Sequence, residues 1–122
     1  MIHRLSKTVF ESDNNLFCLL TMNHHPVHTN EHYAKDAKHG KILVAGTYVL
    51  SLVVGLSVQD MSFGCVAALS YRHVKHLAPV FVGDTIYARS EILSEKKGVR
   101  CIFTVGYTQN EDVISFTRYI LI

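Results

Sequence analysis

Three histidines lie within the eight residues NHHPVHTN, which occupy positions 23–30 of the chain. An imidazole exchanges protons near neutral pH, so a histidine that is held in place can act as a general acid and base. Histidine is also a common metal ligand, and the spacing of His24, His28 and His32 would suit one face of a helix. Pro26 interrupts that face, because it removes a backbone donor and disfavours helical geometry before it. The stretch therefore predicts a loop, and a metal site on one helical face is disfavoured.

The segments that follow this loop are predicted to be two helices. Asn30 has a side chain that favours the N-cap position, which predicts a short helix over EHYAKDAKH, ended by Gly40. The uncharged run from Ile42 to Val58 predicts one long apolar helix. This run is close to the length that spans a bilayer. Its glycines and hydroxyl side chains, and the amphipathic strands after it, favour a helix buried at the centre of a globular domain.

The second half of the chain predicts about four long strands. Residues 65–77 are rich in residues that favour strands, and TIYARSEIL (85–93) alternates apolar and polar side chains. VRCIFTVGY (99–107) and VISFTRYILI (113–122) follow after short polar turns. We therefore predict an α+β fold in one domain over residues 1–122, with an antiparallel sheet wrapped around the long helix and burying it on most sides.

The overall composition favours a packed globular protein and argues against several classes of function. Hydrophobic residues make up 48% of the chain, and the formal charge of +2 is too small and dispersed to predict a nucleic-acid surface. The three cysteines (Cys18, Cys65 and Cys101) show no C-x-x-C spacing, which favours a reducing cytoplasm over a disulfide framework. The first residues lack the apolar core of a signal peptide. No nucleic-acid or membrane partner is expected.

The histidine stretch and the residues after it resemble a known motif. NHHPVHTNEHYAKDAKHGKILVAGTYVLSLVVGLS is similar to the motif of MaoC-like (R)-specific enoyl-CoA hydratases, which have the hot-dog fold. That motif runs Asp-x-Asn-Pro-x-His, continues through a short helix with an alanine and an aromatic-Gly pair, and ends where a small residue and a glycine open the central helix. PVFVGDT resembles the family's Pro-Val-x-x-Gly-Asp-Thr stretch. The matching positions are Pro26, His28, Ala34, Gly40, Ala45, Gly46 and residues 79–85.

The resemblance implies a role for each residue of the motif. His28 is the implied acid and base, and Gly46 is the implied backbone donor to a thioester carbonyl, with Ala45 and His25 in substrate binding. Asn23 stands where the family has a catalytic aspartate, and His25 stands where the motif has asparagine. An amide can position a water molecule but does not accept its proton, so His28 would be the sole base.

The activity implied by the resemblance is reversible hydration of a 2-enoyl-CoA, or dehydration of a 3-hydroxyacyl-CoA, with no added cofactor. The variant motif is similar to that of hydratases acting on branched or dicarboxylic thioesters such as mesaconyl- or itaconyl-CoA. The extra carboxylate, or the CoA phosphates, would need cations, and Arg72, Lys75 and His76 are candidates. An acyl-CoA or acyl-carrier thioester is the expected partner, and the apolar last strand suits a homodimer or higher homo-oligomer.

Other interpretations of the same residues stay open at this point. A hot-dog thioesterase usually carries an acidic residue on or near the central helix, and Ile42 to Val58 has none. The missing aspartate motivates a non-catalytic subunit that only binds acyl thioesters. In that case His28 would brace a loop and Asn23 would mark a site that has lost its catalysis. Arg72 and Lys75 equally suit a solvated edge strand.

Overall fold

The computed structural model describes residues 1–122 and contains one five-stranded antiparallel sheet with the strand order β1-β3-β4-β5-β2. The elements in chain order are β1 (Lys7–Thr8), α1 (Glu11–Leu20), α2 (Pro26–Thr29), α3 (Glu31–Lys35), α4 (Gly46–Met61), β2 (Ala67–His76), β3 (Thr85–Lys96), β4 (Val99–Tyr107) and β5 (Asp112–Leu121). The predicted α+β architecture, with one long helix followed by four long strands, is confirmed.

The sheet packs one face against α4. On β5 the side chains of Ile114, Phe116 and Ile120 are buried, and they alternate with less buried residues that point away from the helix. β2 pairs only with β5, so its other edge has no strand beside it. Several of its apolar side chains, including Leu69 and Tyr71, are exposed.

The long helix α4 is buried or partly buried around most of its surface and is exposed along one stripe. Val49, Val53 and Leu56 point into the core, while Thr47, Ser51, Gly55 and Gln59 form an exposed stripe at helical spacing. The sheet contacts α4 mainly through β3 and β4. No helix in the structure is both long enough and apolar enough to cross a membrane.

The histidine stretch is helical from Pro26 to Thr29, where a loop was predicted, and residues 23–25 form the loop before it. α2 begins at Pro26, because proline is well tolerated at the first position of a helix, whose N–H needs no partner there. The prediction was wrong because it treated this proline as a helix breaker. The predicted N-cap at Asn30 is confirmed, since its side-chain oxygen accepts a hydrogen bond from the Tyr33 N–H at 3.0 Å. The helix it caps, α3, ends at Lys35 and is shorter than predicted.

A buried arginine joins the sheet to the last turn of α4. Arg118 on β5 is 4% exposed and donates hydrogen bonds to the Ser57 and Ser62 hydroxyls at 2.9 and 3.0 Å. Burial lowers the pKa of its guanidinium, and its Nε has no hydrogen-bond partner. The carbonyl-rich C-terminal end of the helix favours a cation at this position.

Gly106 on β4 lets α4 approach the sheet closely. A Cβ at this position would lie 2.5 Å from Cγ2 of Val53 and 2.9 Å from Cγ2 of Ile114. Gly106→Ala is expected to lower the free energy of unfolding by about 1–3 kcal/mol, because the added methyl group overpacks the core. Urea unfolding measures this change.

Gly55→Ala is the matched control, because nothing lies within 4 Å of a Cβ added to that exposed helical position. It is expected to stabilise the protein by about 0.5–1 kcal/mol through helix propensity. Equal unfolding midpoints for Gly106→Ala and the unmodified protein would contradict the close approach.

Candidate active site

The imidazole of His28 is held in one orientation by the backbone. Its Nδ1 lies 2.6 Å from the carbonyl oxygen of Leu43. A carbonyl only accepts hydrogen bonds, so Nδ1 carries the proton, and Nε2 of the neutral ring has a free lone pair. The side chain is half-buried near the C-terminal end of α2. The arrangement presents Nε2 as a base.

The segment that supplies this carbonyl is itself fixed on two sides. The Leu43 N–H donates to the carbonyl of Val27 at 3.1 Å, and the Val44 N–H donates to the carbonyl of Val80 at 2.9 Å. The Val80 stretch ends in a turn in which the Asp84 carboxylate accepts the Phe81 N–H at 2.9 Å. The PVFVGDT stretch thus acts as a support for the residues between α3 and α4.

A buried asparagine, Asn14, connects His28 to the start of α4. Its side-chain NH2 donates to the His28 carbonyl at 3.0 Å, and its oxygen accepts the Ala45 N–H at 3.0 Å. The Cys18 thiol lies 3.8 Å from the same oxygen, and burial raises the pKa of that thiol, so it remains a donor. Asn14 is 2% exposed. The sequence analysis missed it, because a single asparagine in an amphipathic helix gives no local signal of its partners.

The N-terminus of α4 offers a free backbone donor at Gly46. The Ala45 N–H is occupied by Asn14, whereas the N–H groups of Gly46 and Thr47 have no partner in the protein. These unpaired groups lie at the positive end of a helix of 16 residues. An anionic or polarised oxygen placed here would be stabilised.

Of the other two motif residues, His25 lies beside the His28 ring, whereas Asn23 does not line the His28 cleft. The His25 ring lies 6.1 Å from the His28 ring, and its Nδ1 accepts the Val27 N–H at 3.1 Å, so His25 caps α2. Asn23 is half-buried, and its backbone N–H donates to the Cys18 carbonyl at 3.0 Å. Its side-chain amide has no partner in the protein and is free to bind water. The substrate-binding role of His25 stays a prediction.

The two basic residues predicted to bind substrate lie on the sheet face opposite α4. Arg72 places its guanidinium 4.8 Å from the ring centre of Tyr119, and Lys75 pairs across the sheet with Ser115. Neither lines the cavity at Gly46. Their assignment to substrate binding stays a prediction.

His28 and Gly46 line different cavities of the single chain. His28 lines a cleft of about 690 Å³ together with Asn14 and Ile42. Gly46 lines a cavity of about 420 Å³ that also includes Leu43 and His76. The segment of residues 42–45 separates the two cavities, and no group of three or more metal-ligating side chains occurs in the structure.

The comparison with known proteins bears on the family and the fold. A profile of the family described as MaoC like domain matches residues 1–113. The chain belongs to the MaoC-like domain family. The MaoC-like domain superposes on a solved structure from Archaeoglobus, described as a monoamine oxidase regulatory protein, with a TM-score of 0.86 and 33% identity over 100% of this chain and 90% of the other. Its curled sheet and central helix form the hot-dog fold.

The curated relatives of this chain include two that are named as hydratases. The MaoC-like domain is 29% identical over 127 residues to a mesaconyl-CoA hydratase of Cereibacter sphaeroides, covering 98% of this chain and 37% of that protein. It is 36% identical over 104 residues to an (R)-specific enoyl-CoA hydratase of Rhodospirillum rubrum, covering 78% of this chain and 67% of that protein. The chain thus spans little more than a third of the length of the first of these relatives.

Replacing the bridging asparagine of the MaoC-like domain tests its role. In Asn14→Leu the new side chain has a similar branched shape but leaves the His28 carbonyl and the Ala45 N–H without partners. The free energy of unfolding is therefore expected to fall by about 2 kcal/mol. Asn14→Asp still accepts the Ala45 N–H but repels the His28 carbonyl when it is ionised. Burial raises the pKa of such a carboxyl, so its destabilising effect should be larger near pH 7 than near pH 4.

Chemical unfolding at the two pH values measures both effects. Asn15→Leu, at the exposed neighbouring position, is the control and should unfold like the unmodified protein. Unchanged stability in Asn14→Leu would show that the bridge contributes nothing.

Proposed function

We propose that this chain catalyses the reversible hydration of a 2-enoyl-CoA, or the reverse dehydration of a 3-hydroxyacyl-CoA. The observation that carries the proposal is the fixed tautomer of His28, which Leu43 holds three residues before the helix N-terminus and its free Gly46 N–H. The family membership supports it, as do the hydratase names of the two curated relatives.

In the proposed reaction the Gly46 N–H donates to the thioester carbonyl oxygen. This polarises the double bond, so the oxygen of a water molecule adds to C3 while Nε2 of His28 takes the water proton. The negative charge then resides on the enolate-like oxygen, which the helix N-terminus stabilises. The protonated His28 returns its proton to C2, and the net change is the addition of one water. The chain needs no added cofactor for these steps.

Asn23 would hold the attacking water without accepting its proton. Its amide offers both a donor and an acceptor, and no protein group competes for them. The whole proton transfer then falls to His28. The absence of a carboxylate at position 23 leaves a non-catalytic acyl-thioester binding subunit as the alternative function.

We propose a branched or dicarboxylic acyl-CoA, such as mesaconyl- or itaconyl-CoA, as the substrate. A relative named for mesaconyl-CoA, aligned along nearly the whole of this chain, supports this choice. The carrier of the acyl group, CoA or an acyl carrier protein, is taken as CoA from the names of both relatives.

Thioester hydrolysis on the same fold is less well supported. α4 extends further than predicted and includes one acidic residue, Asp60, in its last turn. Its carboxylate accepts a hydrogen bond from His3 at 2.7 Å. With a rise of about 1.5 Å per residue, Asp60 lies about 21 Å along the helix from Gly46. It is too far away to activate a water at the free N–H.

We also propose that the chain works as a homodimer or larger homo-oligomer in the cytoplasm. The unpaired edge of β2, its exposed apolar side chains and the exposed stripe of α4 would be covered by a second copy. The three cysteines are free, as suits a reducing compartment. A monomer in sedimentation at micromolar concentration would contradict the oligomer.

The hydratase activity is tested by following the loss of enoyl-thioester absorbance with crotonyl-CoA and, separately, mesaconyl-CoA. His28→Ala is expected to lower kcat by about 10²–10⁴-fold, because the only base is removed. His32→Ala is the matched control, since His32 is an exposed histidine on α3. Release of free CoA thiol, measured in the same samples, should stay at background.

Two outcomes would overturn the proposal. Equal turnover by His28→Ala and the unmodified protein would remove His28 from the chemistry. An absence of turnover with both substrates, in the unmodified protein and in Asn23→Asp alike, would instead favour the acyl-thioester binding subunit.

A further inference from the structure

Three basic residues on β2 are candidates for substrate binding: Arg72, Lys75 and His76. One of them faces α4, and a β-bulge determines which one. Arg72 pairs with Thr117 and Lys75 pairs with Ser115, so three steps on β2 match two steps on β5. The extra residue falls at the bulge, where His73 has a φ of +53°. In a regular strand Arg72 and His76 would share a face. The bulge reverses the alternation, so His76 lies opposite Ile114, which is fully buried on the helix side.

The imidazole of His76 lies against the first residue of α4. A Cβ placed on Gly46 would be 2.8 Å from Cε1 and 3.1 Å from Nε2 of this ring. The His76 ring is exposed, so a larger residue at position 46 would force it to turn away from the helix. A donor side chain and the free Gly46 N–H are therefore neighbours at the positive end of the helix.

The cavity at this point has basic side chains and no acidic ones. It holds about 420 Å³, and its polar side chains are those of Lys38, His39 and His76. Lys38 forms no salt bridge in the structure. The His39 ring packs edge-on against Phe81 at 5.5 Å. The remaining lining is largely apolar, as suits the carbon chain of an acyl group.

We propose that His76, assisted by Lys38, binds the free carboxylate of a dicarboxylic acyl thioester and so determines acyl specificity. The inference rests on the proposed function, in that the Gly46 N–H holds the thioester end of the same acyl group. The apolar walls contact the carbon chain, and the carboxylate forms charge-assisted hydrogen bonds at its far end. A monocarboxylic acyl group of the same length would leave these basic groups without a partner.

The test uses two saturated thioesters that bind without reacting. Succinyl-CoA and butyryl-CoA have acyl chains of equal length and differ at the terminal carboxylate. In calorimetric titration the unmodified protein should bind succinyl-CoA at least about tenfold more tightly than butyryl-CoA, as expected for a charge-assisted hydrogen bond. His76→Phe should remove most of this preference, His76→Gln should keep part of it, and Lys38→Met should reduce it independently. His32→Phe, on exposed α3, is the control and should retain the full preference.

These measurements distinguish binding of the carboxylate from binding of CoA, and they distinguish both from the hydratase activity. Equal weakening of both ligands by His76→Phe would overturn the inference, because the two share the CoA, the thioester and two methylene groups but not the terminal carboxylate. Equal affinity of the unmodified protein for both, or binding of neither, would overturn it as well. Hydration of crotonyl-CoA without a preference for succinyl-CoA would overturn the inference and leave the proposed function unaffected. A succinyl-CoA preference without hydration of any enoyl-CoA would support the subsite and contradict the proposed reaction.

Discussion

The side-chain amide of Asn14 is the contact on which the candidate active site depends. It joins two backbone groups that are far apart in sequence, the His28 carbonyl and the Ala45 N–H, and it does so without exposure to water. Each group would cost about 1–3 kcal/mol if it were buried without a partner. A side-chain amide donates at one atom and accepts at another, whereas an ionised carboxylate only accepts and an apolar side chain does neither. The distance between the base and the helix N-terminus is thereby set by a single side chain.

The same contact divides the backbone donors at the start of α4. Asn14 occupies the Ala45 N–H and leaves the Gly46 and Thr47 N–H groups free, so an incoming oxygen meets unpaired donors in the field of the helix. The packing behind it is rigid, because Gly106 brings the sheet against Val53 on the buried face of this helix. The His76 ring also lies against Gly46, so the proposed binding and polarisation of an acyl thioester would both use the N-terminus of α4.

Much of this arrangement could be predicted from local sequence, and the rest could not, for identifiable reasons. The alternating apolar residues of VRCIFTVGY predicted a strand, and β4 has the predicted bounds, Val99–Tyr107. The side chain of Asn30 correctly predicted the start of α3. α2 was taken for a loop, because proline both begins and breaks helices, and the choice depends on the neighbouring backbone. Asn14 was missed because its partners come from other elements. The bulge at His73 was also invisible, so the sequence could not tell which basic residue of β2 faces the helix.

The tautomer of His28 is the most direct test of the account. Nitrogen-15 NMR of the histidine-labelled protein, at a pH where the imidazoles are neutral, distinguishes protonated from unprotonated ring nitrogens, with His28→Gln supplying the assignment. A proton on Nδ1 of His28 and a lone pair on Nε2 is the predicted result, because the Leu43 carbonyl accepts from Nδ1. In Asn14→Leu the ring should populate both tautomers as the contact loosens. A proton on Nε2 in the unmodified protein would contradict the assignment of His28 as the base.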